Sequence, residues 1–282
     1  MLTDAPKAGD PRTALDGIGK LEDGEIDIAD AALQLARVDA PDEDWEAARA
    51  HLSEMARDSA RLAFDVAADD LSAQAAALAG LIGGKFEYEG DRETYEDPAN
   101  ANLLRVIARR RGLPVALGIV WIHAARAGGW RVHGLDFPAH FMIGLEGGSE
   151  KLVLDVFAGG MPLDARALRK LVKRVQGADA ELKPALLARV SNRAVLLRLQ
   201  NNIKLRRLQA NDLTGALACT EDMLRIAPSA AAQWREAAVM NQRLERVGAA
   251  LRCYDRFLGL VPEGEAANRA RLAAEELRSR LN

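Results

Sequence analysis

The chain has 282 residues, 49% of them apolar and 28% charged, with a formal net charge of −3. That length buries a sizeable core in one large domain or two ordinary ones, and no stretch reaches the roughly 18 apolar residues that a membrane span needs. The opening stretch MLTDAPKAGDPRTALDG lacks the apolar run of a secretory signal, so the expectation is a soluble, cytoplasmic protein.

The net charge hides an asymmetry. Residues 1–100 carry 24 acidic against 9 basic side chains, and residues 101–282 carry 17 against 29. The two parts can attract each other or offer a partner opposite faces, although solvated helices carry such charges too. The two cysteines, Cys219 and Cys253, form no CxxC pair and no His/Cys cluster. No metal site and no cofactor is expected.

Along the chain, residues 1–25 hold Pro, Gly and Asp with little periodicity and predict a loose start. From Asp27 to Ala79 apolar residues recur mostly at spacings of three and four, which predicts helices, with Pro41–Asp44 capping one of them. Gly83–Asn100 breaks that pattern as a structured loop does. The segment NLLRVIARRRG predicts a helix closed by Gly112, and Pro114 opens the next, Val115–Ala127, which is apolar on nearly every side and belongs in an interior.

The period then changes. Val132–Phe137, Phe141–Leu145 and Leu152–Phe157 are short and β-rich, and GGS at 147–149 joins the last two as a hairpin. Pairing Phe141, Ile143 and Leu145 with Leu152, Leu154 and Val156 fixes the register, because a one-residue slip turns one set to the wrong side. His140 and Asp155 then share the other face, diagonal to one another, where imidazole and carboxylate can meet.

From Leu163 the chain is helical again, and it repeats. A shift of 34 residues superposes Ala216 on Ala250, Leu217 on Leu251, Cys219 on Cys253, Leu224 on Leu258 and Pro228 on Pro262. That period is the tetratricopeptide signature. The cysteines are repeat-equivalent, so both are expected as small packing residues. Two units are few for a solenoid, and helices at Ala194–Gln209 and Glu265–Leu281 are expected to complete the stack and dock it on the rest as one particle.

In the middle third a helix opened by Gly-Leu-Pro, a strand beginning with His140 and a strand containing Asp155 arrive in that order. This order resembles the transglutaminase-like core, where a helix-borne Cys meets a strand-borne His and Asp. More narrowly, YEDPANANLLRVIARRRGLPVALG, GLDFPAHFMIGL and LVLDVFAGGMPL are similar to the bacterial SirB-type family, which joins this core to C-terminal tetratricopeptide repeats; a related core occurs in an animal F-box protein. The resemblance covers residues 25–270. It implies an α+β fold with helices packed on a small antiparallel sheet over residues 26–185, followed by a helical repeat domain over 186–282.

The resemblance places the nucleophile near Ala116, with Val115 as the other candidate, and neither can attack a carbonyl. An active enzyme of this type needs a thiolate at a helix N-terminus, a His to take its proton and a carboxylate to orient that His. Here no cysteine precedes residue 219, and the Ser that the narrower family places nearby is also missing. The retained His140 and Asp155 suit a structural pair, a ligand or peptide groove, or water activation without a covalent step. The expectation is a pseudoenzyme that binds a protein or peptide partner through its repeats, with no nucleic acid or membrane partner. The competing expectation is a Cys-independent amide hydrolase or acyl-transfer enzyme that uses the His140–Asp155 dyad.

Overall fold

The computed structural model describes residues 9–280. Asp10 starts α1 (Pro11–Ile18) by accepting from the Arg12 amide, and Pro11 takes a first-turn position that needs no donor. Residues 1–8 of the expected loose start lie outside the described residues; from residue 11 that start is helical, followed by a single 3-10 turn at Asp23–Glu25. Aspartates start the next helices as well. Asp27 caps α2 (Ile28–Asp39), Asp44 caps α3 (Trp45–Leu62) and Asp70 caps α4 (Leu71–Ala79), each accepting backbone amides two or three residues on.

An irregular segment then leads through β1 (Glu89–Gly90) to α5 (Leu103–Arg109), β2 (Arg111–Gly112) and α6 (Pro114–Ala127). The expected stop at Gly112 falls earlier: Arg110 ends α5 in the left-handed region at φ +59. The reason is the short parallel ladder between β1 and β2, in which Glu89 N donates to Arg110 O and Asp91 N to Gly112 O, drawing these residues out of the helix.

The sheet follows: β3 (Arg131–Phe137), β4 (His140–Gly147), β5 (Glu150–Asp155) and β6 (Met161–Leu163), then α7 (Ala165–Gln176) and β7 (Arg189–Val190). The remainder is helical: α8 (Asn192–Gln209), α9 (Leu213–Ile226), α10 (Ala231–Arg243), α11 (Val247–Leu260) and α12 (Glu265–Ser279). The strand order is β6-β5-β4-β3-β7, antiparallel throughout. Ile143 pairs with Leu154 and Leu145 with Leu152, the register that the apolar pattern requires. The third predicted strand stops at Asp155 because residues 156–158 turn into a 3-10 helix. The edge strands β6 and β7 are additions; three and two residues long, they are too short for an alternation to register.

The chain divides into two compact units, residues 22–199 and residues 9–21 with 200–280. In the first, α6 packs against α2, α3, β3 and β4, and it is buried on nearly every side, from Pro114 to Trp121 without interruption. In the second, α9 and α11 begin and end 34 residues apart, as do the starts of α10 and α12. Cys219 is buried and Cys253 half-buried against the repeat core; neither is in a disulfide, and burial pushes the Cys253 thiol up. Some acidic side chains of residues 1–100 meet basic ones of residues 101–282 within each unit. Asp23 pairs with Arg193, Glu43 with Arg105 and Asp91 with Arg109 in the first, and Asp16 with Arg225 in the second.

Candidate functional site

His140 opens β4 directly after a tight turn, paired with Phe137 across the hairpin. Continuing the β4–β5 register past Ile143 and Leu154 sets Asp155 diagonal to His140 on one face. The two meet: His140 Nε2 lies 3.0 Å from Asp155 Oδ1, with both side chains mostly buried at 17% and 16% exposure. The contact falls short of a fully aligned hydrogen bond. The same Oδ1 accepts from Phe157 N at 3.0 Å and Ala158 N at 3.2 Å, capping the 3-10 turn. Burial pushes the Asp155 carboxyl up, but the His140 imidazole and the two amides outweigh it and hold the group below its ordinary value. Asp155 is thus an anion committed to its own turn.

The position matched to a nucleophile lies elsewhere in character. Ala116, in the first turn of α6, has 0% exposure and Val115 has 2%. Leu113 N donates to Asn100 O at 2.9 Å, which ties the helix start to the preceding segment. Two glycines let α6 press on the elements that carry the pair. A Cβ on Gly118 would lie 2.2 Å from the ring of Phe141, the neighbour of His140, and one on Gly160 would lie 2.0 Å from the Trp121 indole. α6 thus packs closely against β4 and the turn after β5, and Val115 and Ala116 in its first turn are buried.

An open cavity of about 380 Å³ is lined by residues of the turn after β5 and of β1 and its surroundings, among them Tyr88, Gly90, Asp91, Arg111, Phe157 and Gly159. Neither His140 nor Asp155 lines it. The Asp91 carboxylate takes the Thr94 hydroxyl, the Thr94 and Glu93 amides and Arg109. Those hydrogen bonds, Thr94 first, hold it at about 2 despite burial. Sequence reading passed over Asp91; the Asp-x-x-Thr spacing, which lets one carboxylate bond both hydroxyl and amide, was the available signal.

Two further histidines are held neutral. His51 contacts Tyr88 Oη at 3.0 Å and the Arg110 guanidinium, and burial and that cation lower it to about 4. His133 sits 3.8 Å from Glu146, which also binds Lys151 and Arg189, and burial lowers it to about 4 against the pull of Glu146. A base whose folded pKa is depressed binds its proton first in the unfolded chain, so its stability contribution is lost as pH falls from about 6.5 towards 4. Denaturant unfolding between pH 7 and 4 should show this loss, and His133→Gln should flatten that limb relative to the unsubstituted chain. His123, the remaining histidine, places Nε2 3.0 Å from Leu52 O, a core hydrogen bond.

Among the described residues, no group of three His, Cys, Asp or Glu side chains is placed to hold a metal, and no helix is long and apolar enough to cross a membrane.

Comparison with known proteins agrees with this architecture. Residues 46–201 match the transglutaminase-like superfamily and residues 203–281 the tetratricopeptide repeat. A UPF0162 protein of Xylella fastidiosa is 32% identical over 181 residues, 63% of this chain and 64% of that protein, so the chain spans less than two thirds of that relative's length. A UPF0162 protein of Vibrio cholerae is 28% identical over 243 residues, 86% of this chain and 89% of its own length. F-box only protein 21 of Mus musculus is 29% identical over 73 residues, 26% of this chain and 12% of the mouse protein. The chain belongs to the transglutaminase-like superfamily, with tetratricopeptide repeats following the core.

Proposed function

We propose that this chain is a non-catalytic member of the superfamily, a pseudoenzyme that serves as a protein-interaction or regulatory module through its core cleft and its repeat surface. One observation carries the reading: Ala116, where the resemblance places the nucleophile, has no reactive atom and 0% exposure. An acyl-enzyme step needs a thiolate or alkoxide beside the imidazole, and neither Ala116 nor Val115 supplies one. His140 and Asp155 then act as a strut. The carboxylate fixes the turn after β5, and the imidazole packs against it from β4. The repeats supply the surface for a protein or peptide, as stacked helix pairs generally do.

The 3.0 Å His140–Asp155 contact favours a second reading, in which the dyad activates water for amide hydrolysis or acyl transfer. Steady-state turnover of amide and acyl-donor substrates separates the two. The non-catalytic reading predicts that the unsubstituted chain and His140→Ala both run at the uncatalysed rate. A rate above background in the unsubstituted chain that His140→Ala removes would establish the dyad as an enzyme.

A further inference from the structure

α1 lies on α9, in the unit formed by residues 9–21 and 200–280. Arg12 and Asp16 are one turn apart on its surface, and Leu15 sits between them on the same face. The Arg12 guanidinium donates to both oxygens of Asp222, Nε to Oδ1 at 2.9 Å and Nη2 to Oδ2 at 3.3 Å. Arg225 Nη1 donates back to both oxygens of Asp16, at 2.9 and 2.8 Å. Leu15 has 0% exposure. The backbone closes in as well, because Gly19 approaches so near that a Cβ there would lie 2.0 Å from Arg225 O.

We propose that the α9 face under α1 is the docking site for a short helix of a partner protein carrying Arg-x-x-Leu-Asp, and that α1 occupies it as a displaceable ligand in cis. The proposal rests on reading the repeats as a partner-binding surface, and it names the place and the chemistry.

The charges of α9 set that chemistry. The side chains of Asp222 and Arg225 are 2% and 4% exposed, and buried charges left without counter-ions strongly destabilise a fold. They also lie 3.5 Å from one another, Arg225 Nε to Asp222 Oδ1, so each keeps a residual partner when α1 departs. An arriving ligand must present a cation to Asp222, an anion to Arg225 one turn on, and an aliphatic side chain between them. A lipid headgroup or a nucleic-acid backbone offers one sign of charge in quantity and meets only half of that demand. A helix with Arg at i, Leu at i+3 and Asp at i+4 meets all of it.

The features of α1 suit displacement. It has eight residues, below the roughly 12–15 at which an isolated helix becomes even marginally stable. Leu15 is its one buried residue, and Arg12 and Asp16 each remain 38% exposed, so water and a competitor reach both ion pairs. The acceptor face is fixed on a long, buried helix while its present occupant is short and wet at the edges.

The test uses full-length protein and a fluorescein-labelled peptide of residues 9–21, GDPRTALDGIGKL, read by fluorescence anisotropy. In the Arg12→Glu/Asp16→Arg double variant, α1 repels Asp222 and Arg225 and α9 is untouched. The expected result is saturable binding to this variant at least tenfold tighter than to the unsubstituted chain, and at least tenfold weaker binding of a peptide carrying the same two substitutions. Equal affinity for both chains, equal binding of both peptides, or no binding to either chain overturns the proposal. Should the double variant lose its helical circular dichroism, Leu15→Ala replaces it in the same comparison with the same criteria. None of these outcomes bears on turnover at His140 and Asp155, which lie in the other unit, so failure here is distinct from failure of the non-catalytic reading.

Discussion

Asp222→Ala is expected to destabilise the repeat unit by about 3–5 kcal/mol, the cost of breaking a buried ion pair from one side. The side chain is 2% exposed and receives the Arg12 guanidinium, with Arg225 3.5 Å away. Removing the carboxylate leaves Arg225, 4% exposed, to pair with Asp16 of α1, and frees Arg12 from α9. The natural control is Asp255→Ala. Asp255 and Arg278 form a pair 2.8 Å apart that is more than half exposed on both sides, and such surface pairs contribute about 0–1 kcal/mol. Urea unfolding of the three chains measures both values. A loss at Asp222 no larger than at Asp255 would mean that α1 is not held as the ion pairs indicate.

Gly160→Ala is the second large effect, expected to cost about 2–5 kcal/mol. Gly160 adopts φ +79, and its missing Cβ leaves room for the Trp121 indole, which would otherwise sit 2.0 Å away. A left-handed conformation costs an ordinary residue about 1–2 kcal/mol, and overpacking a filled core costs about 1–3 kcal/mol more. Gly159→Ala separates the two contributions, because Gly159 also has positive φ, at +70, but faces open space. The difference between the two variants in denaturant unfolding is the steric share. Because Gly160 N donates to Asp155 O at 2.8 Å, the Gly160 variant should also loosen the turn that Asp155 caps. Amide hydrogen exchange at Phe157 and Ala158 reads this directly.

The parts of the fold that the sequence made legible are those where one pattern decides one structure. Alternation fixed which faces of β4 and β5 pair, because a one-residue slip would send one of the sets Ile143/Leu145 and Leu152/Leu154 to the wrong side. The 34-residue offset fixed α9 against α11 to the residue, since each helix pair repeats the same packing problem. His140 and Asp155 came together through that same register.

Where stability comes from distant partners, the local signal was silent. α1 is short, with Asp10 and Pro11 as its only internal cues, and its anchors Arg12 and Asp222 stand 210 residues apart in the chain. The end of α5 moved to Arg110 because β1 pairs with β2 across an irregular loop, a contact with no periodicity to betray it. The surroundings of Ala116 were also illegible. An apolar helix announces burial, but only the close approach of Gly118 to Phe141 and of Gly160 to Trp121 shows how tightly α6 packs on β4 and on the turn after β5. The cavity beside Asp91 draws its lining from three separated segments, and its polar residues look in sequence like an ordinary acidic loop.

On the non-catalytic reading nothing in the core forms a covalent acyl intermediate, and the test is to incubate the full chain with an activated acyl ester, record intact mass and map any adduct by peptide. The non-catalytic reading predicts no stoichiometric adduct on residues 22–199, in the unsubstituted chain or in His140→Ala. A one-to-one adduct on a residue of that unit, lost in His140→Ala, would contradict it and identify a nucleophile other than a residue at the start of α6.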